Sequence, residues 1–282
     1  MTKGEAAPAA SAKQATRNLL IRIVAALVLA PLAIAIAYAG GLLWIALVAL
    51  AAVGLYVEWL TIVGAVQVGA IVSGAAALLI TGICLAWGRI DASLLVLALG
   101  LAGVAWLSPP PLRRWTVGGY CYAAAAEMAS VLIRLDRVWG FEALLLVLLV
   151  VWGTDIGGYF AGRGIGGPKL WPRVSPRKTW AGAIGGFAAS LVVAAGFAAF
   201  GLGRTGPLLL LGSLLSIVSQ LGDLFESAVK RRFGVKDSSH IIPGHGGLLD
   251  RLDGFVAAAI LAAIFGLLRG GVDGVGRGLM VW

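Results

Sequence analysis

The sequence carries little charge for its length. Asp, Glu, Lys and Arg make up 12% of its 282 residues and hydrophobic residues make up 60%, whereas a soluble globular chain is about 25% charged. This deficit excludes an ordinary soluble protein. It predicts an integral membrane protein folded as one all-α, polytopic transmembrane helix bundle.

Cysteine is scarce as well, and internal repeats are absent. Cys84 and Cys121 both lie inside apolar runs, which is typical of small buried hydrophobic side chains rather than of a disulfide or a metal pair. The lack of repeats disfavours a transporter built from inverted repeats. A transporter or channel would also need ionisable groups spaced along a path through the bilayer midplane.

Nine apolar runs are long enough to cross the ~30 Å hydrocarbon core as helices. They lie at about 23–39, 42–57, 66–87, 92–107, 115–133, 141–160, 179–202, 207–226 and 254–268. Several are short enough to be tilted or partly immersed. We therefore expect about nine spans.

The polar, Ala-rich and basic residues 1–22 form a tail that is expected to be disordered. A cleaved signal peptide is the alternative, but the apolar run from Ile23 is long for an h-region of ~7–15 residues. The rest of the chain divides into N-terminal transmembrane helices at 23–140, a C-terminal transmembrane region at 141–270, where chemistry is expected, and a tail at 271–282.

The distribution of Lys and Arg orients the bundle. With a cytoplasmic N-terminus and nine spans, 16 of the 22 basic residues fall on the cytoplasmic side, which leaves six outside. This asymmetry follows the positive-inside rule. It places both long polar loops, 161–178 and 227–253, in the cytoplasm.

Charge is concentrated in residues 227–253, where five Lys or Arg residues accompany three Asp residues. Apolar helices pack without such a segment, and charge near a bilayer is costly. The segment is therefore the expected place for chemistry. Its basic groups, acids and Gly-rich turn suit a metal-bound polyphosphate.

Carboxylates at helical spacing border this segment. Asp223, Glu226 and Lys230 share one face of a helix end, and Asp250 and Asp253 share one face of the next helix. Two acids within one turn repel unless a cation lies between them, and Mg²⁺ prefers carboxylate and phosphate oxygens. The predicted metal ligands are Asp223, Glu226, Asp250 and Asp253. The alternatives are a Glu226–Lys230 ion pair and a dipole interaction for Asp250.

Two segments have the composition of phosphate-binding loops. Residues 243–247 form a Gly-rich turn whose backbone N–H groups can approach an anion, and His245 in it either orients a phosphate or hydrogen-bonds within the loop. Residues 175–179 place Ser and Thr around Arg-Lys at a helix start, which suits either phosphate or lipid headgroups. Asp155 is a further intramembrane acid on the same side.

Other polar residues in the apolar runs have simpler interpretations. Glu58, Trp59 and Trp115 suit helix ends and anchoring at the bilayer interface. Glu127 and Glu142 have no partner that the sequence identifies.

Residues 227–253 resemble the signature of the phosphatidate cytidylyltransferases (CDP-diacylglycerol synthases), Ser-x-x-Lys-Arg-x4-Lys-Asp followed by His-Gly-Gly-x-x-Asp-Arg-x-Asp. The matching residues are Ser227, Lys230, Arg231, Lys236, Asp237, His245, Gly246, Gly247, Asp250, Arg251 and Asp253. The stretches that follow Asp155 and Ser175 are similar to the family too, so the likeness covers about 150–255. Ala181 stands where the family usually has Glu.

The resemblance implies transfer of CMP from CTP to phosphatidic acid in a bacterial-type inner membrane, with magnesium as cofactor and room for a second metal ion. The partners it implies are CTP, phosphatidic acid and membrane lipids, without nucleic acid, and a homodimer is one assembly it allows. The expected catalytic residues are Asp223, Lys230, Lys236, Asp237, His245, Asp250, Arg251 and Asp253. The expected substrate-binding residues are Asp155, Ser175, Arg177, Lys178, Thr179, Ser227, Arg231, Gly246 and Gly247.

This chemistry needs no Ser, Cys or general base, because a phosphate monoester is largely ionised at neutral pH. It needs charge neutralisation and in-line positioning at the α-phosphorus. The enzymatic alternative is a kinase that uses CTP to phosphorylate a polyprenol or dolichol, with His245 or an Asp as base. A structural scaffold would leave the charges of 227–253 unexplained.

Overall fold

A computed structural model describes residues 28–239 and 246–282, and this part of the chain is almost entirely helical. The helices are α1 (Val28–Ala39), α2 (Gly41–Val63), α3 (Val68–Ala86), α4 (Ile90–Leu107), α5 (Arg113–Leu135), α6 (Gly140–Gly164), α7 (Trp180–Ala199), α8 (Thr205–Arg232), α9 (Leu249–Gly270) and α10 (Val275–Met280). A 3₁₀ turn, Val272–Gly274, precedes α10. The strands are β1 (Lys169–Trp171) and β2 (Ser175–Thr179).

Each helix from α2 to α9 is long and apolar enough to cross a bilayer. The predicted all-α, polytopic bundle is confirmed, and the apolar runs from 42 onward coincide with these eight helices. The first run, 23–39, begins outside the described residues, and α1 is its described part. The number of crossings and the side on which the N-terminus lies stay predictions.

Helices α8 and α9 extend beyond their apolar runs. α8 continues past residue 226 with three basic residues in its last turn, and α9 starts before residue 254 with Asp250 in its first turn. Cations at a helix C-terminus and an anion at an N-terminus both complement the helix dipole. The charged residues at the two ends of segment 227–253 are therefore held on helices.

Glycines let the helices that carry the acids approach closely. A Cβ added at Gly157 of α6 would lie 2.7 Å from the Gly185 carbonyl oxygen of α7. At Gly222 of α8, a Cβ would lie 2.7 Å from the Asp253 carbonyl oxygen of α9. These contacts bring α6 close to α7 beside Asp155, and α8 close to α9 beside Asp223 and Asp253.

The loop 161–178 contains an antiparallel hairpin of β1 and β2, which was not predicted. β2 leads directly into α7, and the Thr179 hydroxyl caps that helix by accepting a hydrogen bond from the Gly182 N–H at 3.1 Å. Threonine is a preferred N-cap because its oxygen satisfies a free helix N–H. The cap fixes the end of β2 against α7.

The N-terminal helices pack against the start of α9. One apolar cluster contains Leu55 and Tyr56 of α2, Ala123 of α5, and Leu249 and Val256 of α9. Burial of these side chains in one cluster keeps α2 beside the first turns of α9. The end of α2 consequently lies next to the charged segment.

Candidate active site

The acids and bases singled out from the sequence meet where α6 and α8 end and α7 and α9 begin. Lys178, on β2, reaches α8 and places its Nζ 2.5 Å from Asp223 Oδ2. The Ser227 hydroxyl lies one turn further along α8 and donates to Asp223 Oδ1 at 3.4 Å. The hairpin therefore supplies a cation to the acid of α8.

Three carboxylates from three helices lie close enough to repel one another: Asp155 of α6, Asp223 of α8 and Asp253 of α9. Lys178 attracts both Asp155 and Asp253, and Arg251 attracts Asp155. When all five groups are ionised, these three acids and two bases carry a net charge of −1. The sequence places these acids on the same side of the membrane, and the structure brings them together.

Lys230 is the centre of a second, buried group of charges. Its Nζ lies 2.7 Å from Glu226 Oε2 and 2.6 Å from Asp250 Oδ1. Asp250 Oδ2 also accepts hydrogen bonds from the backbone N–H groups of Ser238 at 3.1 Å and Gly247 at 3.0 Å. The Glu226–Lys230 ion pair, an alternative to metal binding, is present, and Asp250 extends it from α8 to α9.

The donor set suits Mg²⁺, although no group of three or more Asp, Glu, His or Cys side chains within the described ranges has metal-binding geometry. Mg²⁺ is usually bound by one or two carboxylates together with substrate phosphates. The repelling acids and the buried Glu226 Oε1, which lacks a hydrogen-bond partner within the described residues, are oxygen donors of this kind. Binding by Asp250 would require it to release Lys230 or a backbone donor.

The remaining predicted residues lie around these two groups. Arg177, Arg231, Lys236, Asp237 and Arg251 are exposed, Ser175 is half-buried, and His245 lies outside the described residues. Arg231 donates to the Val235 carbonyl oxygen at 3.3 Å. Because these Arg and Lys side chains are exposed, an anionic substrate can reach them.

The two signature glycines lie against acids. A Cβ at Gly246, whose φ is 84°, would lie 2.9 Å from Asp250 Oδ2, and one at Gly247 would lie 2.5 Å from Glu58 Oε2. Only glycine fits both positions, because a positive φ or a close approach excludes other residues. The predicted phosphate contact of this turn stays a prediction.

The role of Glu58 was not predicted from the sequence. Glu58 and Trp59 lie near the end of α2, as expected, and both are buried within the protein, Glu58 with 1% exposure. Their position at the bilayer interface stays a prediction. The Glu58 carboxylate accepts hydrogen bonds from Ser238, Ser239, Leu248 and Leu249. An acid directly after the apolar run 42–57, with apolar residues on its other side, was the signal that could have identified it.

The chain matches known proteins over nearly its whole length. The model of the cytidylyltransferase family matches residues 20–268. A phosphatidate cytidylyltransferase of Brucella suis is 43% identical over 262 residues, which cover 89% of this chain and 94% of that protein. Another, of Bacillus subtilis, is 46% identical over 143 residues, covering 49% of this chain and 50% of its own length.

The matched residues include both groups of charges described above. A third phosphatidate cytidylyltransferase, of Staphylococcus haemolyticus, is 52% identical over 120 residues, 42% of this chain and 46% of its own. The family resemblance first noted in residues 227–253 extends well into the N-terminal half. This multi-pass chain belongs to the cytidylyltransferase family.

Proposed function

We propose that this protein transfers CMP from CTP to phosphatidic acid, forming CDP-diacylglycerol and pyrophosphate on the cytoplasmic side of the inner membrane. The observation that carries the proposal is the 43% identity to a phosphatidate cytidylyltransferase along 94% of that protein's length. The candidate site is consistent with this activity, because acidic side chains and exposed cations lie there among apolar transmembrane helices.

In the proposed reaction, an oxygen of the lipid phosphate attacks the α-phosphorus of CTP. The bond from the α-phosphorus to the bridging oxygen breaks, and pyrophosphate leaves with that oxygen. The attacking oxygen is already ionised, so no side chain has to remove a proton. The protein's task is to neutralise charge and to hold the two phosphates in line.

Lys178 is the first residue we assign to that task. Lys178 forms an ion pair with Asp223 and is partly exposed, so an incoming phosphate can compete with Asp223 for its ammonium group. Arg177 on the same strand and Arg251 at the start of α9 are exposed nearby and would add charge to the same anion. Arg can bind phosphate oxygens in pairs, which also fixes orientation.

Asp223 and Asp253 would hold Mg²⁺, with Asp155 as a third oxygen donor, since their mutual repulsion favours a cation among them. When bound, the ion would neutralise triphosphate oxygens and stabilise the leaving pyrophosphate. Lys230 with Glu226 and Asp250 would keep α8 and α9 at a fixed separation. We assign those three residues a structural role in the site.

Phosphatidic acid would reach the site sideways from the bilayer. Tyr159, one turn after Asp155 on the same face of α6, is 57% exposed. An exposed aromatic side chain on the face of an acid suits an acyl chain that accompanies a phosphate headgroup. The lipid could therefore place its phosphate near the acids and keep its chains in the membrane.

The test is an assay with purified protein, Mg²⁺ and CTP labelled at either the α- or the γ-phosphate, with phosphatidic acid or a polyprenol as the lipid acceptor. We expect α-label in the lipid and γ-label in pyrophosphate, with activity lost on chelation and restored by Mg²⁺. Transfer of γ-label to a polyprenol would establish the kinase instead. Absence of label from lipid in both cases would refute both activities.

A further inference from the structure

Glu58 joins the N-terminal helices to two separate parts of residues 227–253. Before the segment's centre, the hydroxyls of Ser238 and Ser239 donate to its carboxylate at 2.9 and 2.6 Å. After it, the backbone N–H groups of Leu248 and Leu249 donate at 2.8 and 2.7 Å. One side chain of α2 therefore holds chain segments on both sides of residues 240–245.

The four donors explain how a buried carboxylate is tolerated in an apolar helix. A buried ion without partners costs several kcal/mol, and hydrogen bonds to its oxygens offset that cost. Two of the donors are N–H groups at the start of α9, which the helix itself leaves unpaired. The N-cap position is Leu248, whose side chain offers no oxygen, so Glu58 of α2 performs the capping.

The same segments are held from their other side by Asp250. Ser238 donates its hydroxyl to Glu58 and its backbone N–H to Asp250. Gly247 lies between the two carboxylates: its N–H donates to Asp250, and a Cβ there would contact Glu58. The position of Asp250 therefore depends on a backbone that Glu58 fixes.

The sequence of α2 makes room for this contact. Gly54 lies one turn before Glu58, and a Cβ there would lie 2.8 Å from Leu248 Cδ2. The glycine lets α2 approach the start of α9 until the carboxylate reaches the backbone N–H groups. The close approach and the four hydrogen bonds belong to one arrangement.

We propose that Glu58 is a positioning residue of the active site, which sets the first turn of α9, and with it Asp250 and Asp253, relative to α8. Through Glu58, the N-terminal helices would influence the geometry of the active site. The catalytic consequence rests on the proposed function, whereas the structural consequence, a fixed backbone at 238–239 and at 248–249, does not.

The test compares Glu58→Gln and Glu58→Asp with wild type by hydrogen exchange and by kinetics. Glutamine keeps one acceptor oxygen and loses the charge, so amide exchange of Leu248 and Leu249 should rise by about tenfold or more while exchange in α6 and α7 stays unchanged. The kcat for CTP should fall by about 10- to 100-fold with little change in KM. Glu58→Asp keeps the charge and should recover part of both losses.

Glu127→Gln is the matched control. Glu127 is also a buried glutamate of an N-terminal helix, with 0% exposure, and neither of its carboxylate oxygens has a hydrogen-bond partner within the described residues. It should keep wild-type exchange at 248–249 and kcat within about twofold. If the Glu58 variants do not fold, Ser238→Ala removes one hydroxyl donor to Glu58 and should raise local exchange in the same direction.

Each result decides the inference. Wild-type exchange and kcat in Glu58→Gln would overturn it, and so would faster exchange throughout the bundle, since that would mean a general loss of stability. If the wild-type protein shows no cytidylyl transfer while Glu58→Gln raises exchange locally at Leu248 and Leu249, the proposed function is refuted and the structural contact stands.

Discussion

The ion pair of Lys178 and Asp223 is open to solvent, with side chains 26% and 33% exposed. Such a pair contributes at most ~1 kcal/mol to folding, because water screens both charges. Lys230 is buried, and its loss would leave Glu226 and Asp250 without their counter-ion, which costs ~3–5 kcal/mol. The two lysines of the site therefore differ in their effect on folding: Lys230 stabilises the folded protein, whereas Lys178 contributes little to its stability.

We expect Lys178→Met to lower the rate of cytidylyl transfer by about 100-fold, as loss of one positioned donor does in other enzymes. Its melting temperature in detergent should stay within about 2 °C of wild type. Lys230→Met should lower the melting temperature by about 6 °C or more. Thermal unfolding and initial rates on the same preparations measure both effects.

Lys169→Met provides the control for these variants. Lys169 is an exposed lysine of β1, in the same hairpin as Lys178, and its replacement should change neither rate nor melting temperature. Equal loss of melting temperature in the Lys178 and Lys230 variants would contradict the distinction between them.

At the level of elements, the crossing of α8 and α9 sets the distance between the site's acids. No side chain separates the two backbones at Gly222, where a Cβ would lie 2.6 Å from Ala257 Cβ and 2.7 Å from the Asp253 carbonyl oxygen. Asp223 is the next residue of α8. Any side chain at Gly222 would move Asp223 and Asp253 apart, because close-packed backbones cannot absorb it.

Gly222→Val should therefore lower activity by more than about tenfold and stability by about 1–3 kcal/mol. Gly206→Val, on the same helix, is the matched control because a Cβ at Gly206 would meet no atom within 4 Å. Steady-state rates and thermal unfolding give the comparison. Wild-type rates in Gly222→Val would show that the crossing does not control the site.

Across the whole molecule, the directions of the helices place the site at one end of the bundle. The loop between α7 and α8 lies at the opposite end, since α7 starts beside the site and α8 ends there. If the site faces the cytoplasm, as the distribution of basic residues predicts, residue 177 should be inside and residue 204 outside. Both positions are exposed.

Single cysteines test that orientation. In a Cys84→Ala/Cys121→Ala background, R204C should react with a membrane-impermeant maleimide added to intact cells. R177C should react only after the membrane is opened. The reverse pattern would place the site on the outer side and contradict the proposed access to CTP.

The helical bundle could be predicted because each span is a local pattern of apolar residues. The same holds for the Glu226–Lys230 pair, which follows from a spacing of four along one helix. The contacts of Glu58 could not be predicted, since they join residues 180 to 191 positions apart. The burial of Lys230 also depends on where α9 packs, which no local spacing in α8 reveals.

The cap at Thr179 has a consequence for how fast the site can respond to substrate. Its hydroxyl is bonded to the Gly182 N–H, so the backbone next to Lys178 is anchored to the start of α7. Transfer of the Lys178 ammonium from Asp223 to a phosphate then needs only rotation of a partly exposed side chain, which takes picoseconds to nanoseconds. Substrate capture at this cation would be limited by diffusion of CTP and lipid, without movement of the hairpin.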